Sequence, residues 1–180
     1  GRCRFLLKGE WLQSIEPLSS PWEIQHTPIP LRMLRLALDV DPNFHEPRQL
    51  KVRGERGEYR LSLQPMRPFL ISLQADLKRL DPDLLFTEHG DAWLLPKIME
   101  WSKETGLWVD LNRDHEMNIE TRKADSYFTY RQIVYRGAQS HLFGRWHIDR
   151  KNAMLFSEYG LEGVLEQSRV TGLGVQEMAR

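Results

Sequence analysis

One hundred and eighty residues, 41% hydrophobic and 28% charged, suffice to bury one ordinary core, so a single main domain is expected. The formal net charge of zero excludes a generally basic nucleic-acid binder and confines any such surface to a local patch. A lone cysteine, Cys3, excludes an intramolecular disulfide and a cysteine-built zinc site, and no apolar run approaches the ~20 residues of a membrane helix; a soluble, cytoplasmic protein is expected.

Residues 1–30 carry Pro17, Pro21, Pro28 and Pro30 with Ser19 and Ser20, punctuation that reads as an arm or the remnant of a preceding domain, with room for one short strand in CRFLLKGEWL. The main domain is expected over residues 31–180. The run LRMLRLALD first alternates and then turns continuously apolar, as a strand entering the middle of a sheet does. Residues 48–67 alternate on both sides of Gly54 and Gly57, which predicts a β-hairpin projecting from that sheet. The hairpin holds six cations (Arg48, Lys51, Arg53, Arg56, Arg60 and Arg67) against Glu55 and Glu58. Such an excess either meets a phosphate backbone, with Arg53, Arg56 and Arg60 foremost, or solvates a face.

PFLISLQADLKRLD spaces Phe69, Leu70, Leu73, Leu77 and Leu80 as one helical stripe, with Pro68 tolerated in the first turn. LLFTEH follows as a short strand. DAWLLPKIMEWSKETG then predicts a second helix, with Asp91 near its N-terminus and Gly106 at its C-cap. LWVDL, YFTYRQIVY and GRWHID read as further strands, followed by a helix from about Arg150 and another through GLEGVLEQSRV. Strands and helices in this order give an α/β fold. In YFTYRQIVYR the rings Tyr127, Phe128, Tyr130 and Tyr135 interleave with Arg131 and Arg136, a pattern shared by base-stacking platforms and by sheets with one buried face. The closing VQEMAR runs on without a helix stop, and the first residue is glycine; a piece of a longer polypeptide is expected.

The strand LRLALDVDP ends on Asp39 and Asp41. Residues i and i+2 of a strand share a face, so two carboxylates at that spacing can converge on a hard divalent cation; solvated turn residues give the same pair. An apolar strand closing on two acids one residue apart resembles the first exonuclease motif of family B DNA polymerases, with Asp41 in the place of a glutamate. The resemblance extends along the chain in order. DPDLLFTEHGDAWLLPKIMEWSKETG is similar to that family's second motif and following helix, GRWHID to its Gly-Arg strand, and GLEGVLEQSRVTGLGVQEMAR to the helix leading toward the polymerase palm.

This resemblance implies a ribonuclease H-like mixed β-sheet flanked by α-helices with a β-hairpin insertion. It also implies a 3'-5' exonuclease site in which four carboxylates hold two Mg2+ or Mn2+ ions and a tyrosine orients the attacking water. The candidates here are Asp39, Asp41, Asp91 and Asp149, with Asp39, Asp41 and Asp149 as metal ligands. Several positions depart from the pattern. Aligned on Leu95-Pro96, the second motif places His89 at an asparagine, Trp93 at a phenylalanine and Leu94 at the catalytic aspartate. The third motif, Tyr-x-x-x-Asp, is missing. Asp149 is then either the aspartate of the Gly-Arg strand or the missing acid, and Arg145, another candidate for nucleic-acid contact, stands where the tyrosine belongs.

Three readings follow. The chain is a degenerate exonuclease domain inside a polymerase B-like protein, binding single-stranded or template DNA without cutting it; or an active, rewired exonuclease; or a protein-interaction scaffold on the same fold. The expected partners are DNA and the rest of the polymerase polypeptide, with no membrane.

Overall fold

The computed structural model describes residues 3–18, 20, 30–130 and 132–180. Arg131, one of the candidate DNA contacts, lies outside the described residues, as do Ser19, Pro21 and Pro28 of the arm. Strands β1 (Cys3–Lys8) and β2 (Trp11–Pro17) form an antiparallel ribbon of their own, turning at Gly9 (φ 64°), with every position exposed.

The central sheet is built from β3 (Met33–Leu38), β4 (Gln49–Gly54), β5 (Gly57–Ser62), β6 (Leu84–Glu88) and β11 (Trp146–Asp149), in the order β11-β6-β3-β4-β5. β4 runs antiparallel to both neighbours, whereas β3, β6 and β11 are mutually parallel. An antiparallel meander followed by two parallel strands added on the far side of the first is the ribonuclease H-like order, as the sequence implied. β3 occupies the middle, with Leu34, Leu36 and Leu38 buried.

Helices α1 (Met66–Leu80) and α2 (Leu95–Thr105) cover one face, where Leu36, Leu50, Val52 and Leu85 meet Leu73, Leu77, Leu94 and Ile98. The other face, carrying Leu84, Phe86 and Ile148, is covered by α3 (Met154–Thr171) and α4 (Val175–Met178) through Val164, Val175 and Met178. Because β6 is buried on both faces, its sequence reads Leu-Leu-Phe without polar interruption. Each fully buried leucine contributes roughly 1.5–3 kcal/mol, so the two layers fix the sheet firmly.

Several elements differ from expectation. The 48–67 hairpin is present as β4 and β5, but it widens the sheet instead of projecting from it, because Leu50 and Val52 alternate into the core beneath α1. LWVDL is not a strand. Val109 and Leu111 are buried, while the Asp110 amide donates to Gln74 Oε1 (2.7 Å), which takes that N–H out of any ladder. YFTYRQIVY is two strands, β8 (Asp125–Thr129) and β9 (Gln132–Arg136), turning at Tyr130 (φ 45°). A short ladder joins β7 (Glu120–Arg122) to β10 (Gln139–His141). The last two predicted helices meet inside α3 at Gly160, whose φ of 68° and ψ of −173° interrupt the helix.

Candidate functional site

The three parallel strands end together, which is where side chains of an open α/β sheet converge on a ligand. Asp39 and Asp41 follow β3, His89 follows β6 and Asp149 closes β11. Asp39 accepts the Arg48 amide on Oδ1 (3.1 Å). Asp41 turns back on its own loop, accepting the Asn43 amide (2.9 Å) and Nδ2 (3.0 Å), and stands 3.7 Å from His89 Nε2. The Asn43 amide, aided by the charges of His89 and Lys151, holds the Asp41 carboxyl below the usual range.

The second helix does not begin as an ordinary α-helix. His89 adopts φ 61°, and Gly90–Leu94 form one π-helical turn in which the Leu94 amide reaches back to the His89 carbonyl (2.9 Å). A Cβ on Gly90 would stand 1.9 Å from Thr87 Oγ1, so only glycine permits this approach. The turn swings Asp91 inward, where it is 3% exposed. Its Oδ1 accepts the Ser140 amide (2.7 Å) and Arg180 Nη2 (3.3 Å), and its Oδ2 accepts Asn152 Nδ2 (2.9 Å).

Asp149, also 3% exposed, accepts the His89 amide (3.1 Å) and the Lys151 amide (3.0 Å) on Oδ1, and the Asp91 amide (2.9 Å) on Oδ2. His147, fully buried, stands behind both. Its Nδ1 lies 2.8 Å from the Ser140 carbonyl and its Nε2 lies 2.8 Å from Thr87 Oγ1. A carbonyl only accepts, so Nδ1 carries the proton and Nε2 accepts from Thr87. Burial pushes this imidazole below the ordinary histidine value despite the nearby Asp91 carboxylate.

The four acids therefore gather at one end of the sheet without forming one donor set. N–H groups lie between Asp91 and Asp149, and both oxygens of each carboxylate already accept them. A divalent cation needs oxygens with free lone pairs pointing at one centre. Among the described residues no group of three or more His, Cys, Asp or Glu side chains is placed to hold a metal ion. The arrangement does not fit Mg2+ or Mn2+. Leu94, at the position of the family's aspartate, is fully buried in the core against the sheet.

The basic candidates are dispersed. Arg53, Arg56 and Arg60 are exposed on β4, β5 and their connecting turn. Arg136 ends β9 and lies 5.8 Å above the Tyr127 ring. Tyr127, Phe128, Tyr130 and Tyr135 are all exposed, so these rings do not form a buried sheet face. Arg145 is inside the protein. Its side chain is 4% exposed and 3.6 Å from Asp81, and its Nε and Nη1 have no hydrogen-bond partner among the described residues. Sequence reasoning missed Ser140, Asn152 and Arg180, which meet Asp91 from 49, 61 and 89 residues away. No local pattern signals such partners.

Strand order and this cluster define a ribonuclease H-like domain whose end-of-sheet carboxylates are engaged by N–H donors. Among solved structures the chain is similar to the family B DNA polymerase from the hyperthermophilic archaeon Pyrobaculum calidifontis, with a TM-score of 0.48 and 16% identity over 98% of this chain. The chain spans 23% of that polymerase's length. No family model and no curated protein matches the sequence.

Proposed function

We propose that this chain is an exonuclease-like domain of a polymerase B-like protein that binds single-stranded or template DNA without cutting it. One observation carries the reading: the carboxylates of Asp91 and Asp149 are satisfied by amides and side-chain N–H groups from the protein itself. Two-metal hydrolysis of a phosphodiester needs both ions held by oxygen ligands on either side of the scissile phosphate. Here the acid that should anchor the second ion is replaced by Leu94, and no tyrosine is left to orient water. The ordered motifs of the sequence support the polymerase B-like context, and the exposed Arg53, Arg56 and Arg60 supply charge for phosphates.

The test uses fluorescent single-stranded DNA incubated with the protein and Mn2+, together with anisotropy titrations at several salt concentrations. The expected result is intact DNA and an affinity that falls as salt rises. Rapid shortening that Asp39→Ala abolishes would establish a working exonuclease instead. Absence of salt-dependent binding would favour the protein-interaction scaffold.

A further inference from the structure

A second feature lies on the other side of the Asp149–Asn152 turn. A cleft of about 630 Å3 opens between β7, the end of β9, β10, the start of α3 and the segment from Glu177 to Arg180. Its volume falls in the range of small-ligand sites, roughly 300–1,000 Å3. Among the described residues Arg122, Arg136, Arg150, Lys151 and Arg180 line it, against the carboxylates of Glu120 and Glu177. In a chain of zero net charge this is a local concentration of cations.

Two of these cations are paired with carboxylates, and Arg136 also lies over the Tyr127 ring. Arg150 reaches Glu88 (3.3 Å), and Arg180 reaches Asp91 (3.3 Å) and the carbonyls of Ser140 (3.3 Å) and Gln176 (3.0 Å). Arg122, Arg136 and Lys151 have no carboxylate within ion-pair distance among the described residues, and Arg122 and Lys151 are exposed. Burial, aided by Arg180 and Arg122, holds His141 below the ordinary histidine range, while Glu120 and Glu177 favour its protonation.

The floor is also tied down by hydrogen bonds. Asn152 donates to Asp91 Oδ2 (2.9 Å) and to the Ala138 carbonyl (2.7 Å), and the Lys151 amide is fixed on Asp149. A Cβ on Gly137 would stand 2.4 Å from Asn152 Oδ1, so a side chain there would displace the Asn152 amide from its two acceptors. Tyr135, exposed at the rim, offers a ring face beside the charges.

We infer that this cleft binds an oligophosphate, with Arg122, Arg136 and Lys151 on the phosphates and Tyr135 available to an attached base. The phosphates come either from a free polyphosphate or nucleotide, or from consecutive positions of a polynucleotide strand. Arginine forks and a lysine point charge suit closely spaced phosphate oxygens, which a single carboxylate ligand would leave mostly unmatched. The inference holds whether or not the domain cuts DNA.

The test measures calorimetric binding of inorganic tripolyphosphate and of oligo-dT without terminal phosphate to three proteins: wild type, an Arg122→Glu/Lys151→Glu variant, and a Lys78→Glu/Lys103→Glu control with the same charge change on α1 and α2. The cleft variant is expected to weaken at least one ligand about tenfold or more, while the control changes it less than about threefold. Weakening of tripolyphosphate alone identifies a free oligophosphate, and weakening of oligo-dT identifies strand phosphates. Gly137→Ala, which leaves every charge in place, is expected to weaken the same ligand by displacing the Asn152 turn. Equal affinities in the cleft variant and control, or no binding of either ligand to wild type, overturn the inference. Oligo-dT binding that survives the cleft variant leaves the DNA-binding reading intact.

Discussion

Replacing Asp91 by alanine separates a structural carboxylate from a catalytic one. In the folded protein Asp91 receives the Ser140 amide, Asn152 Nδ2 and Arg180 Nη2, and it is almost wholly buried. Alanine leaves the Ser140 N–H without an acceptor, at a cost of about 1–3 kcal/mol. Asn152 keeps the Ala138 carbonyl, so its loss is smaller. Arg180 loses its carboxylate partner; breaking a fully buried pair costs about 3–5 kcal/mol, and the 12% exposure of this side chain at the cleft places it at or below the bottom of that range. Because these losses share partners they do not add fully, and about 3 kcal/mol is expected in total. With a urea dependence of about 2 kcal/mol per molar, the unfolding midpoint should drop by about 1.5 M. Asp91→Asn, which keeps one acceptor oxygen but faces Asn152 with a second NH2 group, should fall between alanine and wild type. Urea titrations of all three, with and without Mn2+, check this. A loss under about 0.5 kcal/mol, or a wild-type midpoint that Mn2+ raises while Asp91→Ala is unresponsive, would show that Asp91 is a metal ligand and refute the reasoning.

Three further outcomes follow from neighbouring contacts. His147 is held below its unfolded value near 6.5, so the unfolded chain takes up a proton that the folded one refuses; stability should be level above that pH and fall as pH drops through it, by at most about 1.4 kcal/mol per unit. His141, lowered by burial and by Arg180, adds to the same slope, so His147→Gln should remove at least half of it between about pH 5 and 6.5, and an unchanged slope would place the effect elsewhere. Gly90→Ala drives a methyl into Thr87 and the His147 ring and should cost about 1–3 kcal/mol in thermal or urea unfolding, whereas a neutral result would mean that the π-helical turn is not required. Arg145→Met removes a buried guanidinium with two unpartnered nitrogens, and stability should stay within about 1 kcal/mol of wild type or rise; a loss above about 2 kcal/mol would mean that its approach to Asp81 outweighs desolvation.

The sheet's middle was legible because β3 and β6 announce themselves by apolar pattern, and α1 by a clean helical stripe. The site was legible only as a location. The expectation that Asp39 and Asp41 share a face assumed that strand alternation continues through them, but β3 ends at Leu38 and the chain bends, sending Asp41 toward Asn43 and His89. Asp91 was legible as an acid near the start of the second helix, yet what it meets inside the fold comes from distant segments that periodicity cannot join. The aromatic stretch 127–135 conceals a turn at Tyr130, a residue with none of the glycine, asparagine or proline that usually marks one. Arg145 shows a different failure. A nucleic-acid contact needs an exposed side chain, and the fold encloses this one.

The order in which the strands occur has a consequence for the growing polypeptide. A nascent chain that has emerged as far as Glu88 already possesses β3, β4, β5, α1 and β6, four of the five strands of the sheet. Leu85 can then pack beneath α1, but Leu84 and Phe86 point to the opposite side, whose cover, α3 and α4, is synthesised only about 65 residues later. Until residues 154–178 arrive, that apolar side is open beside an unpaired β6 edge, because β11 is also late. Chains interrupted between α2 and α3 should therefore be caught by chaperones or self-associate, whereas chains cut before β6 lack that double-sided apolar strand.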